Sequence, residues 1–253
     1  MLAAERREVL LARLKADGRL VAKDLSVELG ISEDSLRRDL RELATAGLCV
    51  RVYGGAMPPT DAGVDHATRA GANVASKHRV GERAAQLIQP GSTVIIDGGR
   101  TSLALVASLP ATLQATVVTH SPLVAASLLS HSGIDVVVIG GRVLKHSAVT
   151  CGAAAAESAG RISADVFFLA VSGVHLDAGL TTGDPDEAAM KRLLAQRSTT
   201  TYVLASRDKI GTAGRFSVLE LRAVAGVVTD ADLDDPMLTK LARNGVRLLH
   251  APG

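Results

Sequence analysis

The run ISEDSLRRDLRELATAGLCVRVYGGAM, residues 31–57, contains the pattern that decides the fold of the N-terminal part of the chain. Ser32 is a favourable N-cap residue, and Gly47 is a typical residue for the end of a helix, so a helix is predicted between them. At about 100° per residue, three leucines of this helix share one narrow stripe: Leu36, Leu40 and Leu43. The stripe predicts that one side of the helix packs against the rest of the protein.

Arg37, Arg38 and Arg41 fall on the side of the helix opposite the leucines. Two helices are predicted before it, over residues 3–15 and Ala22–Leu29, with Gly30 as the C-cap of the second. A short helix, a tight turn and an exposed basic helix form a helix-turn-helix, whose last helix enters the major groove of DNA. An arginine-rich run alone is more typical of a solvated, salt-bridged helix face. The ordered set of helices, taken together with a family resemblance described below, favours DNA binding.

The residues after Gly47 predict a β-ribbon beside the basic helix, which would make the domain a winged helix-turn-helix. Residues 49–53 are β-prone, and Arg51 and Tyr53 fall on the same side of the strand. We expect Leu20 and Val21 to pair with this strand, and the pair Gly54-Gly55 to allow a tight exit. Arg51 would then reach neighbouring phosphates or the minor groove.

The pattern of residue types changes after the first domain, which is predicted over residues 1–57. Residues 58–76 contain two prolines and little periodicity, which is typical of a linker. From residue 77 to 253, β-branched runs alternate with helical stretches, which predicts a mostly parallel α/β domain. The predicted strands are residues 93–96, 115–119, 134–139, 165–171, 200–205, 224–228 and 246–249, and the predicted helices include residues 77–89, 103–109 and 187–197.

Several predicted strands end in Gly, Ser, Thr or basic residues. Gly98 and Gly99 lie between a strand and a helix, where free backbone N–H groups and the helix dipole favour an anion. A glycine pair there is equally typical of a plain tight turn. Ligands of open parallel sheets bind outside the carboxyl ends of the strands. The shared character of these ends therefore predicts a small anionic, hydroxyl-bearing ligand.

Composition excludes several classes of protein. The 253 residues carry a net charge of only +2, so the case for DNA rests on local pattern alone. Two cysteines, Cys49 and Cys151, make no disulfide framework, and the histidines lack metal-ligand spacing, so we predict no metal and no cofactor. The charged N-terminus does not resemble a signal peptide, and no apolar run is long enough to cross a membrane. A cytoplasmic protein is expected.

Both parts of the chain resemble the DeoR family of bacterial transcriptional regulators. The resemblance is carried by residues 31–57 and by the stretches VIIDGGRTSLALVASL, VVTHSPLVAASL, VVVIGGRVLKHSAVTCG, ADVFFLAVSGVHLDAGLTT and DEAAMKR. It implies a sensor domain similar to sugar-phosphate isomerases, and a DNA-binding protein, most commonly a repressor of a carbohydrate catabolism operon, that is released by a phosphorylated sugar or related metabolite. Departures include Gly99-Arg100, where the family often has a small or hydroxyl residue, and His120, where Asn is common.

The resemblance also assigns residues. Those that would face double-stranded operator DNA are Ser32, Ser35, Arg37, Arg38, Arg41, Arg51 and Tyr53. Those that would bind the effector are Asp97, Gly98, Gly99, Arg100, Thr101, Ser102, Ser121, Gly141, Ser172, Gly173, Glu187, Lys191 and Lys209. Because one recognition helix reads only a half-site, we expect a homo-oligomer, a dimer or larger, formed through the sensor domain.

Three alternatives stay open from the residues. Glu187 and Lys191 are four apart on a helix, and by spacing alone an ordinary surface salt bridge is the favoured interpretation. The α/β domain could be a sugar-phosphate isomerase or deaminase with a DNA-binding appendage, although the neutral run Val171-Ser172-Gly173 disfavours it because such chemistry needs an acid–base pair. The protein could also bind DNA constitutively, with a C-terminal domain that only oligomerises.

Overall fold

A computed structural model describes residues 3–17, 20–52, 55–57 and 73–252, without the side chains of 15–17, 52 and 57. The N-terminal elements are α1 (Ala3–Asp17), β1 (Leu20–Val21), α2 (Ala22–Leu29), α3 (Glu33–Thr45), β2 (Val50–Val52) and β3 (Gly55–Met57). This is the predicted set of three helices followed by a β-ribbon.

Apolar packing holds the three helices together. The predicted leucine stripe of α3 is buried against leucines of α1 and α2: Leu10, Leu14 and Leu25 contact Leu36, Leu40 and Leu43. The predicted end of α2 and start of α3 are confirmed, since Gly30 ends α2 with a φ of 63° and the Ser32 hydroxyl accepts a hydrogen bond from the Ser35 N–H at 3.3 Å, whereas α1 extends past the predicted residue 15 to Asp17. A buried ion pair between Arg6 and Asp39 adds a polar contact between α1 and α3.

The wing differs from the prediction in its strand order. Leu20 and Val21 pair with β3 and not with β2, because β3 is the central strand of the order β1-β3-β2. Gly55 therefore begins a strand and is not an exit from one. A Cβ atom on Gly55 would lie 1.7 Å from the Leu20 carbonyl oxygen, so only glycine allows the strands to approach this closely. Tyr53 and Gly54 lie outside the described residues.

The second part of the chain is α/β, as predicted. Its elements in order are α4 (Val74–Ala85), β4 (Thr93–Ile96), α5 (Arg100–Ala107), β5 (Ala115–Thr119), α6 (Pro122–Leu128), β6 (Ile134–Val138), β7 (Arg142–Leu144), β8 (Val149–Cys151), α7 (Ala153–Gly160), β9 (Ala164–Ala170), β10 (Gly173–His175), β11 (Gly179–Thr182), α8 (Pro185–Gln196), β12 (Ser198–Leu204), β13 (Phe216–Leu219), β14 (Gly226–Thr229), α9 (Pro236–Arg243) and β15 (Leu248–His250).

Seven of these strands form one parallel sheet in the order β15-β14-β12-β9-β4-β5-β6. Successive side chains of its central strands enter two different cores. Ile95 and Phe167 pack in one, whereas Ile96 and Phe168 pack in the other. Burial on both faces explains why these strands are continuous apolar runs without alternation.

Some boundaries and elements differ from the prediction. Helix α4 begins at Val74 and ends at Ala85, so the last residues of the predicted linker 58–76 are helical. Helix α5 begins at Arg100, so Arg100, Thr101 and Ser102 form its first turn and not a loop. The hairpin β7–β8 and the small sheet β10-β11-β13 were not predicted, because their short strands show no clear alternation. Across the described residues, no helix has the length and apolar character needed to span a membrane.

Candidate functional site

Helix α3 presents its arginines to the surface. Arg37, Arg38 and Arg41 are exposed, while the leucines of the same helix are buried. Arg37 pairs with Glu33 one turn earlier at 2.9 Å, and both side chains remain largely exposed. Arg51 is exposed on β2. A helix with buried leucines on one side and exposed guanidinium groups on the other is the geometry that contact with a duplex requires.

The N-terminus of α3 carries two hydroxyls. The Ser32 side chain caps the helix and also donates to the Ser35 hydroxyl at 3.0 Å. Ser32 is exposed and Ser35 is half-buried. Because these hydroxyls lie beside the free backbone N–H groups of a helix N-terminus, they are placed where a phosphate contact would be favourable.

The second site is a cavity beyond the carboxyl ends of β4, β9 and β12. Its empty space, including the open mouth, is about 740 Å³. The residues around it come from several elements: Lys77, Gly98, Gly99, Arg100, Thr101, Ser147, Ala170, Val171, Ser172, Thr182, Glu187, Lys191, Leu204 and Lys209. The cavity therefore lies where the strand-end rule for open parallel sheets places a ligand.

The glycine pair after β4 is required by close contacts. A Cβ on Gly98 would lie 2.1 Å from a methyl group of Val149, and Gly99 has a φ of 118°, which other residues rarely adopt. No side chain caps the N-terminus of α5, which follows directly. The first N–H groups of α5 therefore border the cavity and are suited to an anion.

Lys191 is buried beneath this cavity and is not part of a surface salt bridge. Its ammonium group lies 2.5 Å from Asp97 Oδ2, 2.8 Å from the Ala170 carbonyl oxygen and 3.3 Å from Glu187 Oε1. An ammonium group has three N–H bonds, so the protein provides an acceptor for each. The surface interpretation of the Glu187–Lys191 spacing is therefore wrong.

The charges beneath the cavity stabilise one another. Burial by itself would raise the pKa of Asp97, but Lys191 and His120 outweigh that effect and lower the pKa to about 2. Burial by itself would lower the pKa of Lys191, but Asp97 and Glu187 outweigh that effect and raise it. Both groups are therefore charged at neutral pH. Asp97 also accepts from the Gly98 N–H at 2.7 Å and the Ala170 N–H at 2.9 Å, so it fixes the ends of β4 and β9.

His120 continues this network. One ring nitrogen lies 2.7 Å from Asp97 Oδ1, and the other lies 3.0 Å from the Thr150 carbonyl oxygen. The ring is fully buried. The network therefore reaches from α8 through Asp97 to the hairpin β7–β8.

The groups that face the cavity fall into two chemical kinds. Lys77, Arg100 and Lys209 provide positive charge. Glu187, whose second carboxylate oxygen accepts from the Thr182 hydroxyl at 2.9 Å, provides an acceptor. The Ser147 hydroxyl is buried and has no hydrogen-bond partner among the residues that the structure describes. This combination suits a ligand that carries both an anionic group and hydroxyls.

The structure brings eight of the predicted effector residues to the cavity wall, and the other five are not part of it. Those at the wall are Gly98, Gly99, Arg100, Thr101, Ser172, Glu187, Lys191 and Lys209; those outside it are Asp97, Ser102, Ser121, Gly141 and Gly173. The last five have structural contacts. Ser121 caps α6 and donates to the Ala148 carbonyl at 3.2 Å, and Gly141 and Gly173 lie against neighbouring backbone.

Sequence reasoning missed Lys77, Ser147 and Thr182. Thr182 ends a strand and lies in the quoted run DAGLTT, so the strand-end pattern contained a signal for it. Lys77 comes from the helix before the first sheet strand, and nothing in its local sequence marks it. Within the described ranges, no group of three or more His, Cys, Asp or Glu residues is placed to hold a metal ion.

Family models match both parts of the chain. A DeoR-like helix-turn-helix domain matches residues 6–61, and a DeoR C-terminal sensor domain matches residues 72–231. The two matches follow the order of the helical N-terminal elements and the α/β part described above.

Curated relatives match over nearly the full length. The HTH-type transcriptional regulator GlpR of Haloferax volcanii is 30% identical over 252 residues, which covers 98% of this chain and 98% of that protein. The HTH-type transcriptional repressor GlcR of Bacillus subtilis is 29% identical over 247 residues, which covers 97% and 95%.

Among solved structures, the full-length sorbitol operon regulator SorC of Klebsiella pneumoniae is 13% identical with a TM-score of 0.45, covering 91% of this chain and 97% of that one. The ribose 5-phosphate isomerase of Methanocaldococcus jannaschii is 14% identical with a TM-score of 0.39, covering 53% and 52%. The sequence matches, and not these two structures, decide the family and count against the enzyme alternative. The chain belongs to the DeoR family of helix-turn-helix transcriptional regulators.

Proposed function

We propose that the protein represses a carbohydrate catabolism operon and that a phosphorylated sugar or related metabolite releases it from operator DNA. The observation that carries the proposal is the cavity wall. Lys77, Arg100, Lys209 and the uncapped N-terminus of α5 offer an anion site. Glu187 offers a hydroxyl acceptor in the same cavity. Anion and hydroxyl recognition in one pocket is what a sugar phosphate needs.

On the DNA side, we propose that α3 lies in the major groove. Arg37, Arg38 and Arg41 would contact guanine edges or phosphates, with Ser32 and Ser35 at phosphates and Arg51 and Tyr53 of the wing at the flanking backbone or minor groove. The exposure of the three α3 arginines supports this assignment. Arginine suits both contacts because its planar guanidinium group forms bidentate hydrogen bonds.

On the effector side, the cations would hold the phosphate, and Glu187, Thr182 and Ser147 would bind sugar hydroxyls. Lys191 has all three N–H groups occupied within the protein. Its role would be to hold Glu187 and Asp97 in position, and a direct contact with the effector would require it to release an acceptor.

We further propose the division into a DNA-binding domain over 1–57, a linker after it and a sensor domain to 253, working as a homo-oligomer in the cytoplasm. Two symmetry-related recognition helices would read the two half-sites of one operator. The separate core around the α3 leucines supports an independent N-terminal domain.

A gel-shift assay on the DNA upstream of the protein's own gene tests the proposal. The full chain should shift this DNA, and at least one member of a panel of pentose and hexose phosphates should reverse the shift. Arg38→Ala should weaken the shift, whereas Arg161→Ala, which removes an exposed arginine at the C-cap of α7, should not. A shift that no sugar phosphate changes would support constitutive DNA binding instead.

The same assay tests the cavity. Lys209→Gln should raise the sugar-phosphate concentration needed for release, while Lys240→Gln, on the exposed face of α9, should leave it unchanged. An equal response of the two variants would place the effector outside this cavity.

A further inference from the structure

Asp230 lies directly after β14, is not part of the cavity wall, and connects three segments of the sensor domain. Its side chain is completely buried. It accepts from the Ser76 hydroxyl at 2.6 Å, from Arg79 Nη2 at 2.6 Å and from the Arg207 backbone N–H at 2.9 Å. We call the contacts among Ser76, Arg79, Arg207 and Asp230 the Asp230 clamp.

Two of the clamped segments also contribute cations to the cavity. Lys77 follows Ser76 in the first turns of α4, and Lys209 belongs to the short 3-10 turn that begins at Arg207. Lys209 and Lys77 both act on Asp208 and help to lower its pKa, although burial by itself would raise it. The two segments are therefore close neighbours at the cavity, and the clamp ties both of them to one buried carboxylate.

Helix α4 is the part of the sensor domain that follows the DNA-binding domain in the sequence. It begins at Val74 and is the first element after residues 58–72, which join it in sequence to the wing. Its middle is fixed tightly, since a Cβ on Gly81 would lie 2.5 Å from the Leu105 backbone nitrogen in α5. The turns before Gly81 are held by a different set of contacts, those of the clamp.

We propose that the Asp230 clamp couples the effector cavity to the DNA-binding domain by fixing the first turns of α4 to the turn at 207–209. This inference rests on the proposed function. Lys77 and Lys209 already act on the Asp208 carboxylate, and an anion bound between them adds a second negative group that attracts both lysines and draws their segments together. Because Ser76 and Arg79 are tied to the same buried carboxylate as Arg207, the movement reaches the start of α4 and hence the chain that leads to the wing.

Backbone hydrogen exchange of the full chain, with inorganic phosphate as the probe, tests this coupling. In the wild type, phosphate should slow exchange both at the start of α5, which borders the cavity, and in the first turns of α4. Ser76→Ala removes one clamp contact without altering the cavity wall. Arg79→Gln is a second variant that removes the ion pair. Ser108→Ala, which removes a helix hydroxyl bonded to the Ala104 carbonyl, is the matched control.

Both clamp variants should keep the protection at α5 and lose most of it at α4. In the gel shift, they should reduce release by sugar phosphate by about 2- to 30-fold while binding DNA normally without it. Ser108→Ala should behave as wild type. Protection at α5 with an unchanged α4 response in both variants would overturn the clamp alone. Absence of protection at α5 with phosphate, and with every sugar phosphate, would overturn the proposed effector site and the clamp with it.

Discussion

Helices α3 and α8 each carry a glutamate followed four residues later by a basic residue, but the pair on α3 is exposed and the pair on α8 is buried. On α3, Glu33 and Arg37 are 41% and 57% exposed; on α8, Glu187 and Lys191 are 13% and 2% exposed. The α3 pair leaves its arginine available for a partner outside the protein. The α8 pair has a lysine whose every donor is used inside it. Identical spacing therefore gives an exposed pair on the surface of one domain and a buried pair beside the pocket of the other.

The largest expected effect comes from removing Lys191, the basic member of the buried pair on α8. Lys191→Met leaves the Asp97 carboxylate buried without its ammonium partner, and loss of one member of a buried ion pair costs about 3–5 kcal/mol. The sensor domain should therefore lose that much free energy of unfolding in urea denaturation. A loss below about 1 kcal/mol would show that Asp97 is not held by Lys191.

Low pH should remove the contribution of the same ion pair to stability. Because the pKa of Asp97 is lowered from 3.8 to about 2 in the folded protein, its contribution to stability is complete above about pH 4 and is lost as the pH falls towards 2. The expected loss is on the order of 2 kcal/mol. Urea denaturation between pH 5 and pH 2 measures it.

Lys191→Met is the control for the acid measurement. Without the ammonium group, the pKa of Asp97 is held down less strongly, so the stability of the variant should fall less between pH 4 and pH 2. Parallel pH profiles for the two proteins would contradict this assignment. At the other end of the scale, the raised pKa of Lys191 makes its contribution complete below pH 10.5 and lost only above it.

Removing an exposed arginine of α3 should weaken DNA binding and leave the free energy of unfolding nearly unchanged. Arg38→Ala should weaken operator affinity by about 1–3 kcal/mol and relax specificity at one base position if Arg38 reads a base. The free energy of unfolding should change by less than about 0.5 kcal/mol, since the side chain is exposed. Fluorescence anisotropy with a labelled operator measures the affinity. If alanine at both Arg37 and Arg38 left it unchanged, the docking of α3 would be wrong.

The smallest effect should come from the exposed acid. Glu33→Gln removes the surface ion pair with Arg37 and should change the free energy of unfolding by only about 0.3–0.5 kcal/mol. It is the counterpart of Lys191→Met with the same spacing. A cost for Glu33→Gln as large as that for Lys191→Met would remove the distinction between the two helices.

The same pair of helices shows what the sequence could predict. The α3 leucines, its Ser32 cap and the glycine that ends α2 are local signals, and the structure confirms all of them. Lys191 has no such local signal, because its partner Asp97 is 94 residues away in the sequence. A spacing of four residues does not distinguish a surface pair from a buried pair unless the distant partner is known.

Other differences between the prediction and the structure also come from contacts between residues that are distant in the sequence. The two residues of β1 are too few to specify a partner strand, so their pairing with β3 was not predictable from local pattern. Lys77 reaches the cavity only because α4 packs on α5 beside the ends of the strands. The seven strands of the parallel sheet were all predicted, with bounds within about two residues of the observed ones, since long β-branched runs between glycines and helices are strong local signals.

The most direct test of effector-gated DNA binding is a reciprocal affinity measurement. The sugar phosphate with the strongest effect in the gel shift is titrated into the free protein and into the protein saturated with operator DNA, with calorimetry as the readout. Linkage requires DNA to weaken the binding of the sugar phosphate by the same factor by which the sugar phosphate weakens the binding of DNA, and we predict a factor of about 5 to 150. Equal affinity of the sugar phosphate for the free and the DNA-bound protein would contradict the account.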